Sequence, residues 1–237
     1  MYIKTAKEIF REVLGKKEKP KIKLLGDSIT HGVGGSGWEQ KGEIIVKGWA
    51  MSPDSFCWAN TFRDYMKEKY GATVVNKACT GTRVEFIIEH FDTLVDPDDD
   101  LIVCMIGTNN RHQNMSSGEK KSRETMLSNF CENVKRLNQM LLETKIPVIL
   151  MANIPASKKN EQDGADYWRI LHMCDINDTY KRLAAEEGAT VFSLYDAFIS
   201  HCEENGIDYE SLLCDGLHPN DDGYRVMFRL IIEAFGV

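Results

Sequence analysis

Short unbroken apolar runs and longer stretches with an apolar residue every three or four positions take turns along this 237-residue chain. The runs at 22–25, 73–76, 101–106, 146–151 and 190–194 have strand length. The one at 101–106 has no polar position, as in a parallel strand covered on both faces. Between the runs, Ala6, Ile9, Phe10, Val13 and Leu14 share one helical face, as do Trp58, Phe62 and Tyr65 or Met66. Leu127, Phe130, Val134, Leu137 and Leu141 form a longer stripe of the same kind. The spacing predicts helices over 5–15, from 54 to Gly71, over 83–91, 119–144, 168–187 and 195–204, and a last one from Asn220 carrying Tyr224, Met227, Phe228 and Ile231 inward. Strand followed by helix, about five times over, is the pattern of an α/β protein with a parallel sheet between helical layers. No linker or internal repeat interrupts it, so residues 1–237 are expected to form one domain, with 1–20 as an N-terminal helical extension.

Four stretches do not fit the alternation. From His31 to Pro53, six glycines surround Trp38 and Trp49, and a connection this long in a compact domain is usually functional. It is expected to wall a pocket, with Trp38 and Trp49 offering flat faces to a substrate; core anchoring explains the two tryptophans equally well. Gly34-Gly35-Ser36-Gly37 lacks the Gly-Lys-Ser/Thr ending of a phosphate-binding loop, which argues against nucleotide binding. Residues 152–167 read as a polar surface loop, with a lid over the pocket as the alternative. The aspartates at 96–100 read as a wet turn rather than a cation site, and the basic run at 16–23 as a solvated approach to the first strand.

Composition narrows the partners. A net charge of -7 disfavours nucleic acid and anionic membrane surfaces, both of which reward a basic face. No apolar run is long enough to span a bilayer, and residues 1–15 lack the continuous apolar core of a signal peptide, so neither membrane insertion nor export is expected. Seven cysteines without a Cys-x-x-Cys pair suit a reducing compartment, and the cytoplasm is the expected location.

The candidate chemistry sits at the ends of the strand-length runs. Gly26-Asp27-Ser28-Ile29-Thr30 follows the first run and places a hydroxyl where open α/β sheets hold their ligands. Taken alone, Asp27-Ser28 reads first as a helix cap. Gly81 lies just past the second run, in Asn76-x-x-x-x-Gly, and Asn109 just past the third, in Gly107-Thr108-Asn109-Asn110. Near the C-terminus, Asp215 stands three residues before His218, so one turn can bring its carboxylate onto the imidazole Nδ1-H and leave Nε2 facing outward. That pairing is the base and orienter of a nucleophilic triad. A serine hydroxyl needs such a base to become nucleophilic at neutral pH. The oxyanion formed on attack needs fixed donors, for which the backbone N-H groups of Ser28 and Gly81 and the side-chain amide of Asn109 are suited. No metal or organic cofactor is required; His201, Cys202, Cys214, Asp215 and His218 match no standard zinc spacing.

These four blocks, in this order and spacing, resemble the SGNH hydrolase superfamily, the GDSL esterases and lipases. The resemblance implies a flavodoxin-like three-layer α/β/α fold with a five-stranded parallel sheet, and Ser28, Gly81, Asn109 and His218 as the four residues that name the family. The chain departs from the family pattern at Ala78, usually glycine, and at Asn110, usually aspartate. Asp27, Trp38, Trp49 and Asn110 are the expected substrate-binding residues. The expected activity is serine esterase action on small acyl esters, with O-acetylated carbohydrate favoured. Lysophospholipase or thioesterase action, acyl transfer to a sugar hydroxyl and a silent ligand-binding domain are the alternatives.

Overall fold

The computed structural model describes residues 3–38, 54–113, 118–164 and 168–237. After helix α1 (Ala6–Lys16) and strand β1 (Lys21–Gly26) come α2 (Ser28–His31), α3 (Trp58–Tyr70), β2 (Thr73–Asn76), α4 (Val84–Glu89), α5 (Phe91–Leu94) and β3 (Leu101–Met105). A 3-10 turn (Thr108–Arg111) leads to α6 (Arg123–Glu143), β4 (Val148–Ala152), α7 (Lys158–Glu161), α8 (Met173–Glu187), β5 (Val191–Ser193), α9 (Leu194–Glu204) and α10 (Asp221–Phe235).

The five strands pair in the order β2-β1-β3-β4-β5, all parallel. Successive side chains of a strand point to opposite faces, and both faces here are covered. Ile22, Leu24, Val103, Met105 and Met151 join α1, α3, α9 and α10 in one apolar cluster. Leu25, Ile102, Cys104 and Leu150 join α4, α6 and α8 in the other. The result is the three-layer α/β/α architecture, in the flavodoxin-like strand order. Among the described residues, no helix is long and apolar enough to cross a membrane.

Caps decide where the periodic stretches become helical. Helix α3 starts at Trp58 rather than 54, because Cys57 takes the N-cap, and Gly71 ends it in the left-handed region. Ser122 caps α6, and its Oγ accepts from Thr125 N. The stretch expected to be helical from 168 begins only at Met173, since Arg169 makes a bridge with His112 and Ile170 N donates to the Arg111 carbonyl.

The basic run stays in solvent at Lys16, Lys17 and Lys19 and leaves it only within β1. Lys23 lies on a core-facing side of β1 with its side chain fully buried; its Nζ is 2.6 Å from Asp96 and 3.4 Å from Asp99, whose side chain is also fully buried. Lys21 reaches Asp96 and Asp98 from the neighbouring position, so the acidic turn at 96–100 is the counter-charge of β1. Removing one member of a buried ion pair leaves the other as an uncompensated charge. Lys23→Ala is therefore expected to cost about 3–5 kcal/mol in urea unfolding. A loss under about 1 kcal/mol would mean that Asp99 finds water or a proton at little cost.

Candidate active site

Ser28 stands at the carboxyl end of β1, beside the point where the strand order reverses. Its turn is set by Asp27, which has extended backbone and accepts from Ile29 N at 3.1 Å, making it the N-cap of α2. The cap reading of Asp27-Ser28 therefore falls on the aspartate, and the Ser28 hydroxyl is not used for capping. Asn76, at the end of β2, donates to the Thr30 carbonyl at 2.9 Å and accepts from Ala78 N at 2.9 Å, tying α2 to the segment that carries Gly81.

The histidine arrives from the opposite end of the chain. His218 lies in the loop before α10, where a bridge between Leu213 and Pro219 closes the turn. Asp215 accepts with Oδ1 from Leu217 N at 2.9 Å and from His218 N at 2.7 Å, and its Oδ2 stands 2.7 Å from His218 Nδ1. Burial opposes ionisation of Asp215, but the bonds from His218 and Leu217 outweigh it and hold the carboxyl below the usual carboxylate range. With Nδ1-H given to Asp215, Nε2 is left as an acceptor, and it lies 2.8 Å from Ser28 Oγ. The structure thus joins Ser28, His218 and Asp215 in one hydrogen-bonded row.

The glycine-rich segment locks this loop in place. Gly34 has φ +96°, and a Cβ there would stand 2.3 Å from the Pro219 carbonyl oxygen, so only glycine allows the approach. Ser36 extends the contact, donating through N and Oγ to Asp221 at 2.7 and 2.6 Å.

The groups expected to hold an oxyanion come from three strand ends. Ser28 N-H opens α2 and has no intrahelical acceptor. Gly81 sits exposed at φ +75°, and its N-H donates to no protein group among the described residues. Asn109 Nδ2 gives one hydrogen to the Thr82 carbonyl at 2.9 Å, which fixes the amide against the Gly81 segment and leaves its second hydrogen unspent.

Two residues expected at the substrate are elsewhere. Asp27 is fully buried beneath Ser28. Burial pushes its pKa up, against donors from Thr108, Ile29 N and Asn153. Asn110 is buried too; its Oδ1 accepts from Val84 N at 3.1 Å and its Nδ2 donates to Glu85 at 2.7 Å, so it anchors α4. Trp38 is half-buried, and its indole N-H donates to His31 Nδ1 at 3.0 Å, which occupies its one polar atom. Trp49 lies outside the described residues. The stretch 152–167 is not a single surface loop: residues 153–157 are buried, Ser157 N donates to the Gly216 carbonyl at 2.8 Å, Ser157 caps α7, and 165–167 lie outside the described residues.

Some of the surrounding machinery gives no sequence signal. Arg111 is fully buried; it donates to the Thr108 carbonyl at 3.1 Å and pairs with Glu161 and Asn160, bracing the turn that carries Asn109 from behind. Asn153, directly after β4, bonds both Asp27 and Thr108. A lone arginine and a lone asparagine in polar stretches carry no pattern that marks them as interior. Two groupings of potential metal donors, His172-Cys174-Asp175 and Asp96-Asp98-Asp99, include no triad residue, and their carboxylates already meet Arg123, Lys21 and Lys23.

A five-stranded parallel sheet between two helical layers, with a serine, a histidine and an aspartate aligned beyond its strand ends, is the three-layer α/β/α architecture of the SGNH hydrolases. Residues 24–226 match the GDSL-like lipase/acylhydrolase family, and the chain belongs to it. Among solved structures, one described as a GDSL-like lipase from Parabacteroides merdae superposes with a TM-score of 0.67 at 16% identity, over 93% of this chain and 97% of that one. Axe2, an acetylxylan esterase from Geobacillus stearothermophilus, gives 0.65 at 19% identity, over 92% and 94%. The lipase/acylhydrolase from Enterococcus faecalis gives 0.63 at 18%, over 90% and 94%. At these identities the likeness is one of fold. No curated protein matches the sequence.

Proposed function

We propose that the protein is a serine esterase that hydrolyses small acyl esters through an acyl-serine, with O-acetyl groups on carbohydrate as the favoured substrates. The observation that carries the reading is the row from Ser28 Oγ to His218 Nε2 to Asp215, at 2.8 and 2.7 Å. His218 Nε2 takes the hydroxyl proton as Oγ attacks the ester carbonyl carbon. The carbonyl oxygen becomes an oxyanion between Ser28 N-H, Gly81 N-H and the free Asn109 amide hydrogen. Collapse breaks the bond to the leaving alkoxide, which receives the proton from His218. Water then attacks the acyl-serine with His218 again as base, releasing the acid and restoring Ser28.

The acetyl and carbohydrate preferences have separate support. Axe2 shares the fold and is an acetylxylan esterase whose structures include catalytic mutants at a serine, an aspartate and a histidine. The half-buried Trp38 lies on the segment that packs against the His218 loop, where an indole face suits a sugar ring. Seven cysteines, all free thiols, support a reducing compartment such as the cytoplasm.

The test compares kcat/KM on acetyl, octanoyl and palmitoyl nitrophenyl esters. The acetyl ester is expected to be turned over best, and preference for the long chains would instead point to lysophospholipase or thioesterase action. A fluorophosphonate probe is expected to label the wild type and not Ser28→Ala. Equal labelling of the two proteins would place the nucleophile elsewhere.

A further inference from the structure

Strand β4 contributes none of the triad or oxyanion residues, yet its end reaches beneath both. Asn153 is 1% exposed, and its Nδ2 stands 2.6 Å from Thr108 Oγ1 and 3.1 Å from Asp27 Oδ2. Asp27 precedes the nucleophile, and Thr108 precedes the oxyanion asparagine. One carboxamide therefore bonds both turns whose donors must converge on a single oxygen atom, beside the direct contact of Thr108 with Asp27.

The sheet does not do this work. Strands β1 and β3 remain paired only as far as Gly26 and Met105, and both functional turns lie beyond that last rung. A carboxamide nitrogen has two hydrogens, one for each turn. Its own Oδ1 is buried and accepts from no protein group among the described residues, an arrangement that costs stability. The residue is thus held for its donors. Asp27 and Thr108 are 0% and 1% exposed, so water has no access to replace them.

We propose that Asn153 is a positioning residue for acyl transfer: by donating to Asp27 and Thr108 it sets the separation of the nucleophile turn from the oxyanion turn. This rests on the reading of Ser28 as nucleophile, and the experiment separates the two. Loosening such a constraint moves Ser28 N-H and Asn109 relative to one another, which acts on the transition state and spares ground-state binding.

Asn153→Ala is expected to lower kcat on the acetyl ester about 10- to 100-fold with KM within about twofold, and to slow fluorophosphonate labelling of Ser28 by a similar factor. Asn153→Asp, of nearly equal size, supplies a pH readout, which circular dichroism at each pH separates from loss of folded protein. Two adjacent buried carboxyls share a proton at low pH, preserving one bond to the nucleophile turn, and repel once both ionise. The ratio of its kcat to that of the wild type is therefore expected to rise as pH falls from about 8.5 to about 6. The groups coupled to Asp27 are His218 before α10, Arg111 after β3, Cys104 of β3, Tyr180 of α8 and Tyr224 of α10. All are present in both proteins, so the ratio removes their own titration. The proposal is overturned if kcat of Asn153→Ala stays within about twofold of wild type, or if the Asn153→Asp ratio is flat with pH; should the alanine variant fail to fold, the aspartate profile decides. Activity surviving in Ser28→Ala would overturn the assignment of the nucleophile, a different result from an inert Asn153.

Discussion

Exchanging His218 for alanine is expected to lower kcat on the acetyl ester by about 10⁵- to 10⁶-fold, and Ser28→Ala by a similar factor. The size follows from the row of contacts. Ser28 Oγ is 2.8 Å from His218 Nε2 and 6% exposed, so no bulk water stands ready to take its proton. His31, on the same short helix as Ser28, is no substitute. It is buried behind the turn and accepts from Trp38, and burial lowers its pKa. Because the two residues act as one unit, the double variant is expected to be no slower than either single one, leaving the residual rate that oxyanion stabilisation and binding supply. Steady-state hydrolysis of the acetyl nitrophenyl ester, with circular dichroism as the folding control, measures all three. A His218→Ala protein within about tenfold of wild type would remove the histidine from the mechanism.

The difference between what the chain discloses and what it hides is one of range. Ser28, Gly81, Asn109 and the Asp215-His218 pair could be read because each lies at the end of an apolar run or within one turn of its partner, where short-range rules hold. The central strand β3 is legible for a related reason: burial on both faces leaves it no polar interruption. Lys23, Arg111 and Asn153 could not be read this way. Their polarity argues for solvent, and only the fold brings Asp99, Glu161 and Asp27 to meet them. Asp27 and Asn110 show the opposite failure. Each neighbours a candidate site residue in sequence, but a cap or a turn rotates successive side chains apart, and the side chains of Asp27 and Asn110 point into the interior. Adjacency along the chain is a poor guide to adjacency at a site built from turns.

Asp215→Asn is expected to lower kcat by about 10³- to 10⁴-fold while leaving KM within a few-fold. The carboxylate does two jobs with two oxygens. Oδ1 closes the turn by accepting from Leu217 N and His218 N, and Oδ2 accepts the Nδ1 proton. An asparagine can keep the first contact with its carbonyl oxygen, so the loop should hold its shape and binding should survive. Its amide nitrogen then faces Nδ1 as a donor, which favours the tautomer with hydrogen on Nε2. That tautomer cannot accept the Ser28 proton. The side chain of Asp215 is 52% exposed, and this decides how far the loss goes. Water can reach the edge of the imidazole and stabilise a minority of the productive tautomer, so the variant should retain turnover well above that of His218→Ala. It follows that Asp215→Ala, which removes the misdirecting amide and admits water, should not be slower than Asp215→Asn unless the turn itself needs Oδ1. Measuring kcat for both variants separates orientation of the base from closure of the loop. An alanine variant much slower than the asparagine variant would show that Asp215 acts chiefly through the backbone of Leu217 and His218.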